Sequence, residues 1–209
     1  MRKIKLFLVV ACVAMLAACN TKPVETEKEM KYENETIATI MERRSIRKYK
    51  PETVARETLE KIMECGINAP NGQNKQSWEV RVVDNPEVMA EINAVIAEAY
   101  GEKAEMAVGC FRGAPVMVFI ARDLAYDFSA YDCGLLAENI MLSAQSLGVG
   151  SICLGSPVRI IKDNEACAPV LERLGFSEGY EFCLCVGLGY ADEAPEAKPR
   201  MKEKVKFVE

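Results

Sequence analysis

Five cations, Arg43, Arg44, Arg47, Lys48 and Lys50, fall within eight residues of the stretch "ERRSIRKYK", in a 209-residue chain whose formal net charge is -5. Guanidinium groups set this closely, with the Ser45 hydroxyl among them, can grip a small anion through charge-assisted hydrogen bonds, Arg bidentately. The same residues also suit an ordinary helix end, where the helix dipole favours Lys and Arg with no ligand at all. A second candidate is "LGVGSICLGSP". It lacks the parts of a nucleotide loop: Cys153 stands where a dinucleotide fingerprint needs its third Gly, and Ser156-Pro157 stands where a phosphate loop needs Lys-Ser. What remains there is a tight turn with free backbone N–H groups just past a buried strand.

Composition narrows the chemistry further. The chain contains no histidine, which removes Ser-His-Asp and Cys-His pairs, the H-E-x-x-H zinc helix and His-ligated haem. An acidic balance, with a sequence pI near 5.1, argues against nucleic acid, because a polyanion needs a broad basic face. Seven cysteines lie beyond Cys12 and Cys19, with no C-x-x-C pair. They read as buried apolar thiols rather than a disulfide framework, a zinc ribbon or a dithiol redox centre. Cys183 and Cys185 are assigned to opposite faces of one strand, unable to bond each other or share a metal. No metal site is expected.

These residues need elements to hold them. Ile37, Ile40 and Met41 share helical spacing behind Asn34, a plausible N-cap. Leu59, Ile62, Met63 and Cys65 do the same, with Gly66 near that helix's end. "WEVRVV" reads as a strand, followed by a helix opening at Pro86 and running to about Tyr100. "APVMVFIAR" is a continuous apolar run and so a buried strand. A long helix is expected over 127–147, with small residues at Ala130, Gly134, Ala137 and Ala144 that suit either the core or a dimer seam. "GSICL" is a short buried strand, a helix follows near Pro169 to Leu174, and "YEFCLCVGLGY" is the next strand. "KVKFV" is expected to add a last one. Strands alternating with more numerous helices indicate a single α+β or α/β sandwich without repeats. Half of the residues are hydrophobic, enough for one domain with a core of its own.

The first residues stand apart. "MRKIK" is a basic start, "LFLVVACVAML" an apolar run too short to span a bilayer, and "AAC" a small-residue close. Residues 1–18 read as a signal peptide whose ending resembles a bacterial lipobox, which implies that Cys19 is lipidated. An ordinary signal cut would leave Cys19 unmodified. Residues 19–34 are polar and read as a tether, and 35–209 as the folded domain. The expected location is the periplasmic or cell-surface side of a membrane, held by the lipid. Without a functional signal it is the cytoplasm.

Four separated segments together resemble the nitroreductase superfamily. "RRSIRKY" is similar to its R-[RH]-S-x-[RK]-x-[FY] opening, and "APNGQNKQSW" to its [AS]-P-S-x-x-N-x-Q-P-W loop. "LGVGSICLG" is similar to its L-G-L-G-[ST]-x-x-[IL]-G turn, and "AKPRMKEKVKF" to its closing K-P-R arm. Asn71 departs from the usual Ser and Ser77 from the usual Pro. The resemblance covers the chain from about Thr36 to Phe207. It implies an α+β sandwich with a mainly antiparallel central sheet, and a homodimer with FMN at the subunit interface.

Carried onto matching positions, the resemblance assigns Arg44, Ser45, Lys198 and Arg200 to the phosphate. It places Arg47 and Arg43 nearest the ring and ribityl chain, and a backbone N–H at Leu154-Gly155 near N5. Pro70, Asn71, Gly72, Asn74 and Gln76 would come from the other subunit and cover the ring edge. Lys48 and Lys50 are left as solvated charge, Trp78 as structural and Cys153 as packing. No side chain is the catalyst, since FMN carries the redox chemistry and the protein orients and polarises it. The implied activity is two-electron, ping-pong reduction of a nitroaromatic, quinone or similar planar acceptor by NAD(P)H or another donor. Acceptor-pocket residues are expected in the segment Val95 to Arg112. The alternative is a non-catalytic membrane lipoprotein that holds flavin or another small anion on the same fold.

Overall fold

The computed structural model describes residues 32–209. The expected signal peptide (1–18), Cys19 and most of the expected tether (19–34) lie outside the described residues. Among the described residues no helix is long and apolar enough to cross a membrane.

Helix α1 spans Glu35–Glu42 and is capped as its sequence suggests, with Asn34 Oδ1 accepting from the Ile37 N–H at 2.9 Å. Among the described residues nothing covers its apolar stripe: Ile37, Ile40 and Met41 are all exposed. Helix α2, Arg56–Ile67, buries Leu59, Ile62 and Gly66. Helix α3, Pro86–Tyr100, begins where Asn85 Oδ1 accepts from the Glu87 N–H at 2.8 Å and Pro86 fills the first turn. A short helix, α4 (Ala104–Val108), leads to strand β2. The long helix α5 runs Ser129–Ser146, two residues later at its start than the sequence suggests. Helices α6 (Ser156–Lys162) and α7 (Ala168–Leu174) follow. Neither α4 nor α6 is readable from periodicity, since each has under two turns in which to show one.

The sheet has four strands in the order β1-β2-β4-β3, with β1 Trp78–Val83, β2 Val116–Asp123, β3 Gly150–Leu154 and β4 Tyr180–Gly189, every pairing antiparallel. Val116 to Ala121 are buried on both faces, which explains their unbroken apolar run. Met117 and Phe119 join a cluster with α3, α4, α6 and α7, while Val116, Val118 and Ile120 join one with α2 and α5. The result is the expected α+β sandwich with helices on both faces.

Regular pleating would give Cys183 and Cys185 the same face, two residues apart. A β-bulge changes this: Ile120 pairs with Leu184 and Ala121 with Phe182, so Cys183 is the unpaired extra residue. Cys185 then belongs to the first cluster and Cys183 packs against the second, beside Cys133. The two face apart, as expected, but through the bulge. The small residues of α5 also divide. Ala137 and Ala144 pack in the core, while Ala130 and Gly134 are exposed with Tyr131 and Leu135.

One expected element is absent. "KVKFV" forms no strand; it follows a 3-10 turn at Lys202–Lys204, and Val205, Phe207 and Val208 are 72%, 93% and 97% exposed. A strand requires a neighbouring edge to pair with, and the arm pairs with none among the described residues.

At one end of the sheet Glu181 ties three elements, taking Lys162 of α6 at 2.6 Å and Arg122 of β2 at 2.9 Å. The Lys162 hydrogen bond, followed by that from Arg122, holds the Glu181 carboxyl below the ordinary carboxylate range. A lowered folded-state pKa contributes stability above the unfolded value, and that stability is lost as pH falls through the folded value. Glu181→Gln is therefore expected to lose less of its melting temperature than wild type when pH drops from 7 through the carboxylate range, measured by thermal denaturation. Parallel curves for the two proteins would contradict this.

Candidate anion-binding site

The stretch 43–50 leaves α1 and lies down beside the sheet as extended chain. Ser45 pairs in parallel with Ser151 of β3, and the Ile46 N–H donates to Ser151 O at 2.9 Å. Tyr49 pairs antiparallel with Ala191, just past β4, and the Lys50 N–H donates to Tyr190 O at 2.9 Å. The start of the C-terminal arm closes the arrangement: Asp192 N–H donates to Lys48 O at 3.0 Å, and the Glu193 carboxylate accepts from both the Arg47 and Lys48 N–H groups. Tyr49 is half-buried against β4 and its hydroxyl donates to Ile46 O at 2.8 Å. That burial, with Glu193 nearby, raises the Tyr49 pKa, so the phenol stays a neutral donor. Gly189 makes room for it, since an added Cβ would stand 2.6 Å from the Pro115 ring and 2.7 Å from Tyr49.

This pairing gathers the two ends of the domain. Arg43, Arg44, Ser45 and Arg47 line one pocket of about 130 Å³ together with Pro195, Glu196, Lys198 and Arg200. Every residue that the sequence assigned to a phosphate is among them. The guanidiniums are held by carbonyls. Arg44 donates to Met41 O and Arg43 O at 2.8 Å each, Arg47 to Ser45 O at 3.0 Å and Arg200 to Lys198 O at 2.9 Å. Among the described residues, the ion pairs all involve other cations. Five cations around a small cavity, without a carboxylate ion pair, fit a phosphate group, which carries close to two charges and several acceptor oxygens. Sequence reasoning missed Glu193 and Glu196; the acidic spacing of "ADEAPEAKPR" gave no sign that one would cap backbone N–H groups.

Leu154 and Gly155 close β3 three to four residues beyond Ser151, about 10 Å along the strand from the phosphate pocket. Leu154 is buried and Gly155 exposed, with nothing within 4 Å of an added Cβ. Next to this turn, Ser156, Arg159, Ile160 and Asp163 enclose a cavity of about 520 Å³ with Tyr100 and Met106. The last two come from the segment expected to shape an acceptor pocket. Cys153 is exposed on β3. Burial of its thiol raises its pKa, with Glu138 adding to the effect and Arg43 opposing it. It is a thiol at neutral pH, not an activated nucleophile.

The loop Pro70 to Gln76 is elsewhere. It precedes β1, and β1 and β3 are opposite edges of the sheet, three strand spacings or about 14 Å apart. None of its residues lines the cation pocket. Within one chain the structure therefore joins the phosphate-side residues and the Leu154–Gly155 turn along β3, but leaves Pro70, Asn71, Gly72, Asn74 and Gln76 apart from them. The loop is nonetheless well defined. Gln73, Asn74 and Gln76 adopt left-handed φ of 55°, 54° and 48°, and Asn71 Oδ1 accepts from the Gln76 N–H at 2.9 Å.

An antiparallel sheet between two helical layers, with a cationic pocket built from both ends of the domain, defines an α+β protein equipped to hold a phosphorylated ligand. The chain belongs to the Nitroreductase family, whose pattern it matches over residues 40–190. A relative from Vibrio harveyi, an NADPH-flavin oxidoreductase, is 31% identical over 183 residues, spanning 82% of this chain and 72% of that protein. A nitroreductase from Desulfitobacterium hafniense, solved with bound FMN, superposes with a TM-score of 0.75 at 35% identity, covering 85% of this chain and all of the other. Another from Bacteroides fragilis, also solved with FMN, gives 0.74 at 27% identity, over 84% of this chain and all of the other.

The segment that carries the pocket's cations packs through Tyr49 against Gly189. Gly189→Ala is expected to cost about 1–3 kcal/mol through overpacking against the rigid Pro115 ring, read as a lowered midpoint in urea. An unchanged midpoint would show that Tyr49 and Pro115 yield freely.

Proposed function

We propose that this protein is an FMN-dependent oxidoreductase that moves two electrons from a donor to a planar acceptor, a nitroaromatic or a quinone. The observation that carries this reading is the pocket of Arg43, Arg44, Ser45, Arg47, Lys198 and Arg200, brought together from opposite ends of a Nitroreductase-family chain. When bound, FMN would supply the hydride chemistry. Arg44, Ser45, Lys198 and Arg200 hold its phosphate, the guanidiniums bidentately. Arg47 and Arg43 place positive charge toward the ribityl chain and ring, where it favours the reduced, more negative state. A backbone N–H at Leu154 or Gly155 would donate toward the ring's reactive edge. The exposed Gly155 leaves that edge open, which favours turnover over mere storage. The neighbouring cavity of about 520 Å³ lined by Tyr100, Met106 and Arg159 has room for the acceptor. The cycle is ping-pong, the donor leaving before the acceptor enters the same space.

The functional unit in this proposal is a homodimer. Ile37, Ile40 and Met41 of α1 and Tyr131 and Leu135 of α5 form exposed apolar surface that a second copy would cover. A second copy would also bring the Pro70–Gln76 loop to the ring edge that this chain's own loop does not reach.

The proposal includes export as a lipoprotein through Cys19, supported by the basic start, the short apolar run and "LAAC". NAD(P)H is cytoplasmic, so an exported enzyme would draw on a quinol or another extracytoplasmic donor. Stopped-flow reduction of the loaded protein distinguishes the donors: rapid reduction by a quinol analogue and none by NADH or NADPH is expected for the exported form. Rapid reduction by nicotinamide alone would favour a cytoplasmic enzyme.

The phosphate assignment has its own test. Arg44→Ala combined with Arg200→Ala is expected to weaken FMN binding by more than about 100-fold, since each charge-assisted hydrogen bond contributes about 1.5–3 kcal/mol, while circular dichroism stays unchanged. Undiminished flavin content would return the cluster to a helix end stabilised by the dipole.

A further inference from the structure

Asp132 sits in the first turn of α5 and is 3% exposed. Its two carboxylate oxygens are both engaged, and both by the same loop. Oδ1 accepts from the Gly72 backbone N–H at 3.0 Å, and Oδ2 accepts from the Ser77 hydroxyl at 2.6 Å. Ser77 is 1% exposed, and its carbonyl takes the Asp123 N–H at 3.0 Å. The contacts therefore grip the loop near its start and at its end. Between them lie the three left-handed residues, Gln73, Asn74 and Gln76, none of them glycine. Such a backbone persists only where its surroundings hold it. Gly72 is pinned from the other side as well, for an added Cβ would stand 2.1 Å from the Tyr126 hydroxyl oxygen, and the Lys75 ammonium lies 4.3 Å from the centre of the Tyr126 ring. Ser77 is also where this chain departs from the loop pattern it resembles. A proline there would have no hydroxyl to give Asp132.

We propose that Asp132 is a positioning residue, which with Ser77 clamps the loop from Pro70 to Gln76 in the conformation that presents Asn71, Asn74 and Gln76 to the flavin of a partner subunit. The inference rests on the flavin reading above. The clamp works by hydrogen bonding from two fixed points rather than by contact with the ligand. Asp132 lies one residue from Tyr131, on the exposed apolar stripe of α5, so the same helix turn that would meet a second copy also sets the loop.

Two measurements test this. The first is hydrogen exchange at the Gly72 amide in the flavin-free protein. Wild type is expected to protect it, Asp132→Ala to expose it by at least about tenfold in rate, and Asp132→Asn to retain most protection. An asparagine can still accept from Gly72 and donate to Ser77, whose hydroxyl simply turns round. The second is FMN affinity by fluorescence quenching. Asp132→Ala is expected to bind about tenfold more weakly, because it leaves buried donors unpaired, and Asp132→Asn to stay within about threefold of wild type. If Asp132→Ala does not fold, Ser77→Ala carries the test with a several-fold loss. Faster Gly72 exchange with unchanged FMN affinity would overturn the proposal, as would equal losses in Asp132→Ala and Asp132→Asn. A wild type that takes up no FMN would instead overturn the flavin reading, while Gly72 exchange would still decide whether the clamp exists.

Discussion

Like charges must be held together against their own repulsion, and the rest of this structure depends on how that is done. Arg43, Arg44, Arg47, Lys198 and Arg200 surround one cavity of about 130 Å³ with no carboxylate ion pair among them. Two unit charges 4 Å apart repel by about 1 kcal/mol in water and by several times that near a protein surface. Backbone pairing opposes the repulsion. Ser45 bridges to Ser151 and Tyr49 to Ala191, and the Glu193 carboxylate takes two N–H groups of the segment that carries the charges. Met41, Arg43, Ser45 and Lys198 turn carbonyls toward the guanidiniums. The chain's own backbone contacts thus hold the cations in place, which lowers the ordering cost of binding an anion.

Much of the scaffold was legible in the sequence because local rules and global burial agree. Pro86 predicts the start of α3, and the apolar run "APVMVFIAR" predicts a buried strand, found at Val116–Asp123. Other features lie beyond periodicity. Helices α4 and α6 are too short to display one. "KVKFV" has a strand's composition but lies exposed and pairs with no edge among the described residues. The bulge at Cys183 is a property of the pairing between β2 and β4, not of either strand alone. The cation pocket needed a long-range juxtaposition of residues 43–47 with 198–200. Resemblance to a family suggested it, and no spacing rule could. Asp132 looked like any acidic residue in a first helical turn, because its role becomes visible only once Gly72 and Ser77 are folded beside it.

A chain without histidine has few groups to move protons near neutral pH, and Cys110, Cys153 and Cys167 do not substitute. Burial raises the thiols of Cys153 and Cys167 and pushes Cys110 up to about 12. Redox chemistry delegated to a bound flavin asks only for positioned charge, open space at the ring edge and a wall on the far side. The first two are properties of one chain, at the cation pocket and at Gly155. The loop proposed as that wall, gripped by Asp132, stands at the opposite edge of the sheet. A second copy would reconcile these positions, and the exposed apolar residues of α1 and α5 are the surface on which it would sit.

The most direct test of a site shared between two chains is complementation. One variant carries Arg44→Ala and Arg200→Ala, the other Asn74→Ala and Gln76→Ala, and each should lose most of its flavin. Unfolded and refolded together, half of the dimers would be mixed, each with one intact site, restoring about a quarter of the wild-type FMN capacity. Recovery near that level is the expected result. A mixture that binds no more FMN than its two components alone would contradict a flavin site built from the cations of one chain and the loop of the other.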